Sequence, residues 1–94
     1  TLNPNYSEAH YSLGSLLYQQ GRFADALKSF RRSAESNPNY PNAYYGAGLV
    51  FLRQGNSTEA QRVLQYAKDL FTLQGNPQWA SRADQLLQQS QSRR

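Results

Sequence analysis

The side chains that most often carry out catalysis or bind metals are scarce in this sequence of 94 residues. It contains one histidine, His10, six Asp and Glu residues, and no cysteine. The lack of cysteine excludes disulfide frameworks, zinc knuckles, thiol catalysis and iron–sulfur ligation. A catalytic His10 would need a nucleophile and an orienting acid beside it, and the sequence supplies neither. We therefore expect no enzyme activity, no cofactor and no metal site.

Tyrosine is the functional residue type in which the chain is rich, with seven copies. A tyrosine joins an apolar ring to a polar tip, and this residue type is enriched where proteins contact one another. The tyrosines can form a binding surface only if the secondary structure places them on one side of the molecule. Whether they form one therefore depends on the helices or strands that carry them.

The chain contains an internal repeat of 34 residues. Asn3-Pro4-Asn5-Tyr6 recurs as Asn37-Pro38-Asn39-Tyr40, and a third copy begins around Trp79 if one residue is inserted near Gly75. Such an insertion belongs in a loop. The same shift of 34 pairs Ala9 with Ala43, Tyr11 with Tyr45, Gly14 with Gly48, Gln20 with Gln54, Gly21 with Gly55, and Ala26 with Ala60.

Each repeat has the apolar spacing of two amphipathic helices, with Gly21 and Gly55 as stops between them. A last helix opens at Asn76-Pro77, an N-cap followed by a first-turn proline. No segment shows the alternation of a strand. The predicted packing stripes are His10, Leu13, Gly14 and Leu17; Phe23, Ala26, Leu27, Phe30 and Ala34; Tyr44, Ala47, Gly48 and Phe51; Ala60, Leu64, Ala67 and Phe71; and Trp79, Ala83, Leu86 and Leu87.

These residues resemble the tetratricopeptide repeat family, whose helix-turn-helix unit is 34 residues long. The resemblance implies an all-α, right-handed α-solenoid with a remnant of a preceding repeat (1–6), repeats 7–40 and 41–75, and a capping helix with a frayed end (76–94). Ser33, Ser57 and Thr72 depart from the family pattern. Since Thr72 replaces a proline, we expect the second helix of repeat two to run to about Leu73 or Gln74.

Gly14 and Gly48 each lie in mid-helix, where glycine costs about 1 kcal/mol relative to alanine. Their presence predicts a close approach between helices, with Ala26 and Ala60 as the expected small partners. Phe30 and Leu64 are predicted to fill the space between successive units, because a single repeat cannot bury its apolar face alone.

A second face of each first helix lies off the packing stripe, and in a curved array it forms the concave surface. The resemblance implies that this surface holds a peptide or partner domain, which would make the chain a non-catalytic adaptor or assembly scaffold. Alternatively, the tyrosines only pack along the crease between helices, while Leu49 and Leu52 touch the closing helix. The predicted groove residues are Tyr11, Ser15, Tyr18, Gln19, Asn42, Tyr45, Leu49, Leu52 and Arg53.

One subclass of the family grips a C-terminal carboxylate with Lys, Asn and Arg side chains. The corresponding positions are Tyr11, Ser15, Asn42 and Gly46, and only Asn42 fits, which disfavours an acidic chaperone tail. Self-association through an open N-terminal end around Leu2, Tyr6 and Leu16 is an alternative function.

RNA binding is a second alternative, since the formal net charge is +4. The basic residues are mixed with acids on the second helices, which disfavours nucleic acid. There is no apolar run that would span a bilayer, so we expect a soluble chain of undetermined compartment. Because the sequence begins at Thr1, we expect a processed chain or a piece of a longer protein.

Overall fold

A computed structural model of the chain describes residues 6–92, and over that range it consists of five α-helices. Each helix packs against the next one in sequence, and α1 and α5 also contact α3. The prediction of an all-α helical-repeat solenoid is confirmed. The helices are α1 (Ser7–Gln19), α2 (Phe23–Ser36), α3 (Pro41–Arg53), α4 (Ser57–Leu73) and α5 (Pro77–Ser92).

Three of the turns between helices are closed by a glycine in the left-handed conformation. Gly21, Gly55 and Gly75 have φ angles of 77°, 74° and 75°. After Gly75, the backbone N–H of Asn76 donates to the carbonyl of Phe71 at 2.9 Å, and the N–H of Gly75 donates to the carbonyl of Thr72 at 3.1 Å, which is the hydrogen-bond pattern of a Schellman motif. The sequence-based prediction that α4 extends to about Leu73 is confirmed.

The boundaries drawn at residues 7, 41 and 76 remain predictions. Of the predicted N-terminal remnant, only Tyr6 lies within the described residues. Leu2 and the end at Arg93 and Arg94 lie outside them.

The Phe30 ring is held between two glycines on neighbouring helices. A Cβ atom built on Gly14 of α1 would lie 2.8 Å from the ring, and one built on Gly46 of α3 would lie 2.4 Å from it. The atoms nearest to Gly14 belong to the ring of Phe30, and the prediction that Ala26 is the small partner of Gly14 stays a prediction. Phe30 itself is 2% exposed and joins the first repeat to α3.

In the second repeat, an aliphatic side chain packs against the helix glycine. A Cβ on Gly48 would lie 2.4 Å from Cδ2 of Leu64, so Leu64 supplies the atoms nearest to Gly48, and the predicted approach of Ala60 stays a prediction. Leu64 is fully buried and clusters with Leu87 of α5. This contact continues the core from α4 into the last helix.

The N-terminal end of the array leaves apolar side chains uncovered. Leu13, which the sequence pattern assigned to the packing stripe, is 48% exposed, and Leu16 is 51% exposed. The assignment of Leu13 is wrong because this side of α1 meets no other helix within the described residues, whereas Gly14 faces Phe30.

Ser33 replaces the expected alanine because it ties α1 to α2. The hydroxyl of Ser33 donates to the carbonyl of Ser7 at 2.8 Å, and the hydroxyl of Ser7 donates to the carbonyl of Ser33 at 3.0 Å. Both residues are buried, so each hydroxyl needs such a partner. The pair fixes the start of α1 against the last turn of α2.

Candidate functional site

The predicted groove residues lie on α1 and α3, and the surface they form is called the concave surface below. It comprises Tyr11, Ser15, Tyr18 and Gln19 of α1 together with Asn42, Tyr45, Leu49, Leu52 and Arg53 of α3. Gln19 and Arg53 are exposed and the other seven are half-buried. Half-burial means that each ring or chain both packs on its neighbours and presents part of itself to solvent.

Tyr11 marks one end of the concave surface. Its ring centroid lies 5.7 Å from that of Phe30 and 5.9 Å from that of Tyr40, the latter at 90°. Edge-to-face contacts of this kind favour a fixed ring orientation. Tyr11 is therefore partly a packing residue, as the alternative interpretation of the tyrosines requires, and also a rigid part of the surface.

Tyr18 and Arg53 form the other end, where α1 and α3 finish. The guanidinium carbon of Arg53 lies 6.0 Å from the centroid of Tyr18 and 5.4 Å from that of Phe23, whose rings are themselves 5.6 Å apart. Within residues 6–92 Arg53 has no ion pair. The exposed cation is thus oriented by two aromatic faces while remaining open to a carboxylate.

Tyr45 is at the boundary between α3 and the last helix. Its ring meets Trp79 of α5 edge-on at 5.6 Å, and Trp79 stacks on Phe71 at 5.8 Å. Arg82 lies over the indole with its guanidinium carbon 4.8 Å from the ring centroid. Sequence analysis missed Arg82, although its spacing of three residues from Trp79 places both on one helix face.

The electrostatics of the tyrosines show that they share one surface. Burial raises the pKa of Tyr45, the nearby Arg82 cation opposes this shift, and negative charge on Tyr11 or Tyr18 would raise the pKa of Tyr45 further. The three hydroxyl groups are therefore within electrostatic reach of one another.

The remaining predicted residues differ in how far they serve packing. Leu52 packs against a buried cluster that is formed by Ala60 and Leu64 of α4 and Leu87 of α5. The alternative expectation that Leu52 contacts the closing helix is consistent with this position. Gly46, a position of the carboxylate clamp in the related subclass, is buried against Phe30 and presents nothing to a ligand.

Tyr40, whose ring contacts that of Tyr11, should make the fold less stable at alkaline pH. Burial, with a smaller contribution from the Glu8 charge, raises the pKa of Tyr40 to about 12. Tyrosine in an unfolded chain has a pKa of about 10. Between these values the unfolded state has lost a proton that the folded state keeps, so stability is full below about pH 10 and falls as pH rises towards about 12.

We expect the free energy of unfolding in urea to decrease across that pH window. The Tyr40→Phe variant keeps the ring against Tyr11 but cannot ionise, so its stability should decrease less steeply. A residual slope is expected because burial also raises the pKa values of Tyr44 and Tyr45. Equal slopes for parent and variant would show that Tyr40 titrates as it does in the unfolded chain.

Neither a metal cluster nor a membrane span is found in the described part of the chain. In residues 6–92, no three His, Asp or Glu side chains are grouped so that they could hold a metal ion. None of the five helices in this range is both long enough and apolar enough to cross a membrane. The concave surface presents aromatic rings, hydroxyl groups and the Arg53 guanidinium.

Comparison with known families places most of the chain in one of them. A model of the tetratricopeptide repeat matches residues 2–41 and 11–75, which together cover most of the chain. No curated protein matches the sequence. The match spans the helix pairs α1–α2 and α3–α4 and thus the helices that carry the concave surface.

Proposed function

Because the chain belongs to the tetratricopeptide repeat family, whose repeats are generally protein–protein interaction modules, we propose that it is a non-catalytic adaptor that holds a peptide or partner domain on its concave surface. Its activity would be binding alone, with no chemical step. The observation that carries the proposal is the row of half-buried tyrosines, Tyr11, Tyr18 and Tyr45, with Arg53 oriented over one end.

The composition of the surface suits a protein ligand. Tyrosine and arginine are the residue types that most often dominate binding energy at interfaces. Arg53 and Arg82 each lie over an aromatic ring, and both are exposed. A partner that places carboxylates near the two arginines and apolar groups over the tyrosine rings would complement the surface.

The rings also suit tight binding because they are already ordered. Tyr11, Tyr18 and Tyr45 each contact at least one other aromatic ring. Their rotamers are therefore restrained before a partner arrives, and little side-chain entropy remains to be lost on association. A tyrosine also has few rotatable bonds for the area it contributes.

A partner recovered by affinity capture on the intact chain provides the test. We expect Arg53→Glu and Tyr18→Ala to weaken its binding by about tenfold or more, since a tyrosine or arginine anchor typically contributes about 2 kcal/mol. The matched control is Arg32→Glu, the same charge reversal at an exposed position of α2. Isothermal titration calorimetry measures the affinities, and circular dichroism melts check that each variant is folded.

The proposal fails if Arg53→Glu and Tyr18→Ala bind the partner as the parent does. We avoid Tyr45→Ala as the main variant because its ring packs on Phe71 and Trp79, so its loss would also destabilise the fold. A conservative Tyr45→Phe change would isolate the contribution of that hydroxyl.

Self-association is a second candidate function, supported by the uncovered apolar side of α1. Tyr6, Leu13 and Leu16 are each about half exposed, at 45%, 48% and 51%. At the opposite end, α5 turns polar residues such as Gln85 and Gln88 outward. Two copies would therefore meet α1 to α1 as a closed two-fold dimer rather than as a growing filament. Light scattering across concentration separates this dimer from a monomeric adaptor.

A further inference from the structure

A second groove, called the convex groove below, lies between α2 and α4. Its volume is about 220 Å³ and its floor is supplied by α3. Ala34 of α2, Ala43 and Ala47 of α3, and Val63 of α4 leave the space open because their side chains are short. Arg31 of α2 and Arg62 of α4 also line it. None of these residues belongs to the concave surface.

The size of the convex groove indicates what kind of ligand it fits. Sites that enclose cofactors and other small molecules typically measure about 300–1,000 Å³ and are larger than this groove. A space of 220 Å³ between two helices instead suits an anchoring side chain of a peptide that lies along the groove. Its walls of Ala, Val and Phe51 favour an apolar anchor.

The charged residues around the convex groove indicate the sign of the charge that a ligand would carry. Arg31 is exposed and has no ion pair within residues 6–92. Arg62 pairs with Glu59 at 3.0 Å, but its side chain is 73% exposed, and a pair in that setting contributes little. The groove thus combines an unpaired arginine with a weakly paired one above an apolar floor.

We propose that the convex groove binds a short acidic segment of a protein partner. An apolar side chain of the segment would insert over Ala34 and Ala47, and its carboxylates would pair with Arg31 and Arg62. A bidentate arginine–carboxylate pair supplies direction as well as attraction. Nucleic acid is a poorer match because it offers no aliphatic anchor for the apolar floor.

This proposal is independent of the concave surface, and variants can separate the two. Arg31→Glu reverses the charge at the groove. Arg32→Glu makes the same change at the next residue, which is exposed but does not line the groove. Ala34→Trp fills the groove from its α2 side, and Arg53→Glu alters only the concave surface. Arg31 is exposed, so Arg31→Glu is expected to fold and tests the groove even if Ala34→Trp does not.

The experiment selects a phage-displayed library of random dodecapeptides on the intact chain and measures the selected peptides, labelled with fluorescein, by anisotropy. We expect a group of peptides with Asp or Glu close to Leu, Ile or Phe. Their affinity should fall at least tenfold on Arg31→Glu and on Ala34→Trp. It should be unchanged on Arg32→Glu and Arg53→Glu.

Three results would overturn the convex site. The first is a selection without acidic, apolar peptides, and the second is a set of such peptides that all keep their affinity on Arg31→Glu. The third is binding of an oligouridine RNA that Arg31→Glu abolishes while no selected peptide depends on Arg31. In the second case, peptides that lose affinity only on Arg53→Glu would bind the concave surface instead.

Discussion

Ending the chain at Gly75 should unfold the protein or make it aggregate, because this truncation removes α5 and uncovers the apolar face of α4. Leu64 and Phe71 are 0% and 2% exposed in the intact chain, and Leu87 and Trp79 of α5 cover them. A terminal repeat needs a polar outer side to stay soluble. Circular dichroism, thermal melting and light scattering measure the outcome.

Point variants in α5 provide the graded version of this prediction. Leu87→Ala should lower the free energy of unfolding by about 2–5 kcal/mol, as loss of a buried leucine commonly does. The control is Gln85→Ala, an exposed position on the same helix that should change stability by about 0.5 kcal/mol or less. A truncated chain that keeps its helical signal, melting temperature and monomeric state would show that α5 is not a cap.

Gly46→Leu should destabilise the fold by about 1–3 kcal/mol, although leucine is the better helix former by nearly 1 kcal/mol. Any side chain at this position enters the space of the Phe30 ring, since even a Cβ would lie 2.4 Å from it. The ring cannot move away because Gly14 approaches it from α1. Helix propensity and packing therefore predict opposite signs, and packing should dominate.

A double-mutant cycle isolates that clash from other effects of the substitution. Combining Gly46→Ala with Phe30→Leu should be less destabilising than the sum of the two single changes, because the smaller side chain leaves room for the new Cβ. Ser12→Ala, at an exposed site on α1, is the control for propensity alone. If Gly46→Leu is at least as stable in urea as the parent, α3 does not approach Phe30 closely.

The helices could be predicted from sequence because their signals are local. Gly21, Gly55 and Gly75 follow helices and adopt the left-handed conformation that favours glycine, and Pro77 begins α5. The repeat of 34 residues then indicated how the helices stack. A repeat period and the Gly and Pro residues at helix ends can be recognised in the sequence without knowing which residues meet in the folded chain.

The partners of the helix glycines could not be predicted in the same way. Spacing places Gly14 and Gly46 on α1 and α3 but does not say that one phenylalanine ring lies between them. Leu13 has the correct spacing for the core, yet it faces a side where no neighbouring helix lies within the described residues. Whether a stripe is buried depends on which helix covers it, and that is a property of the assembled array.

The candidate site could also be predicted only in part, because some of its features depend on contacts between helices. Helical register placed Tyr11, Tyr18 and Tyr45 on one side of the first helices. The position of Arg53 over two rings and the approach of Trp79 to Tyr45 depend on contacts between elements far apart in sequence. The convex groove likewise arises from short side chains on three helices that no single pattern brings together.

The emission of Trp79 provides the most direct test of binding at the concave surface. It is the single tryptophan of the chain and meets Tyr45 edge-on at 5.6 Å. Titration of the captured partner, in a form that lacks tryptophan, should change this emission saturably, and Arg53→Glu should shift the midpoint to higher concentration while Arg32→Glu leaves it in place. Binding that is detected by calorimetry with equal affinity for the parent and Arg53→Glu, and that leaves the emission of Trp79 unchanged, would contradict the account.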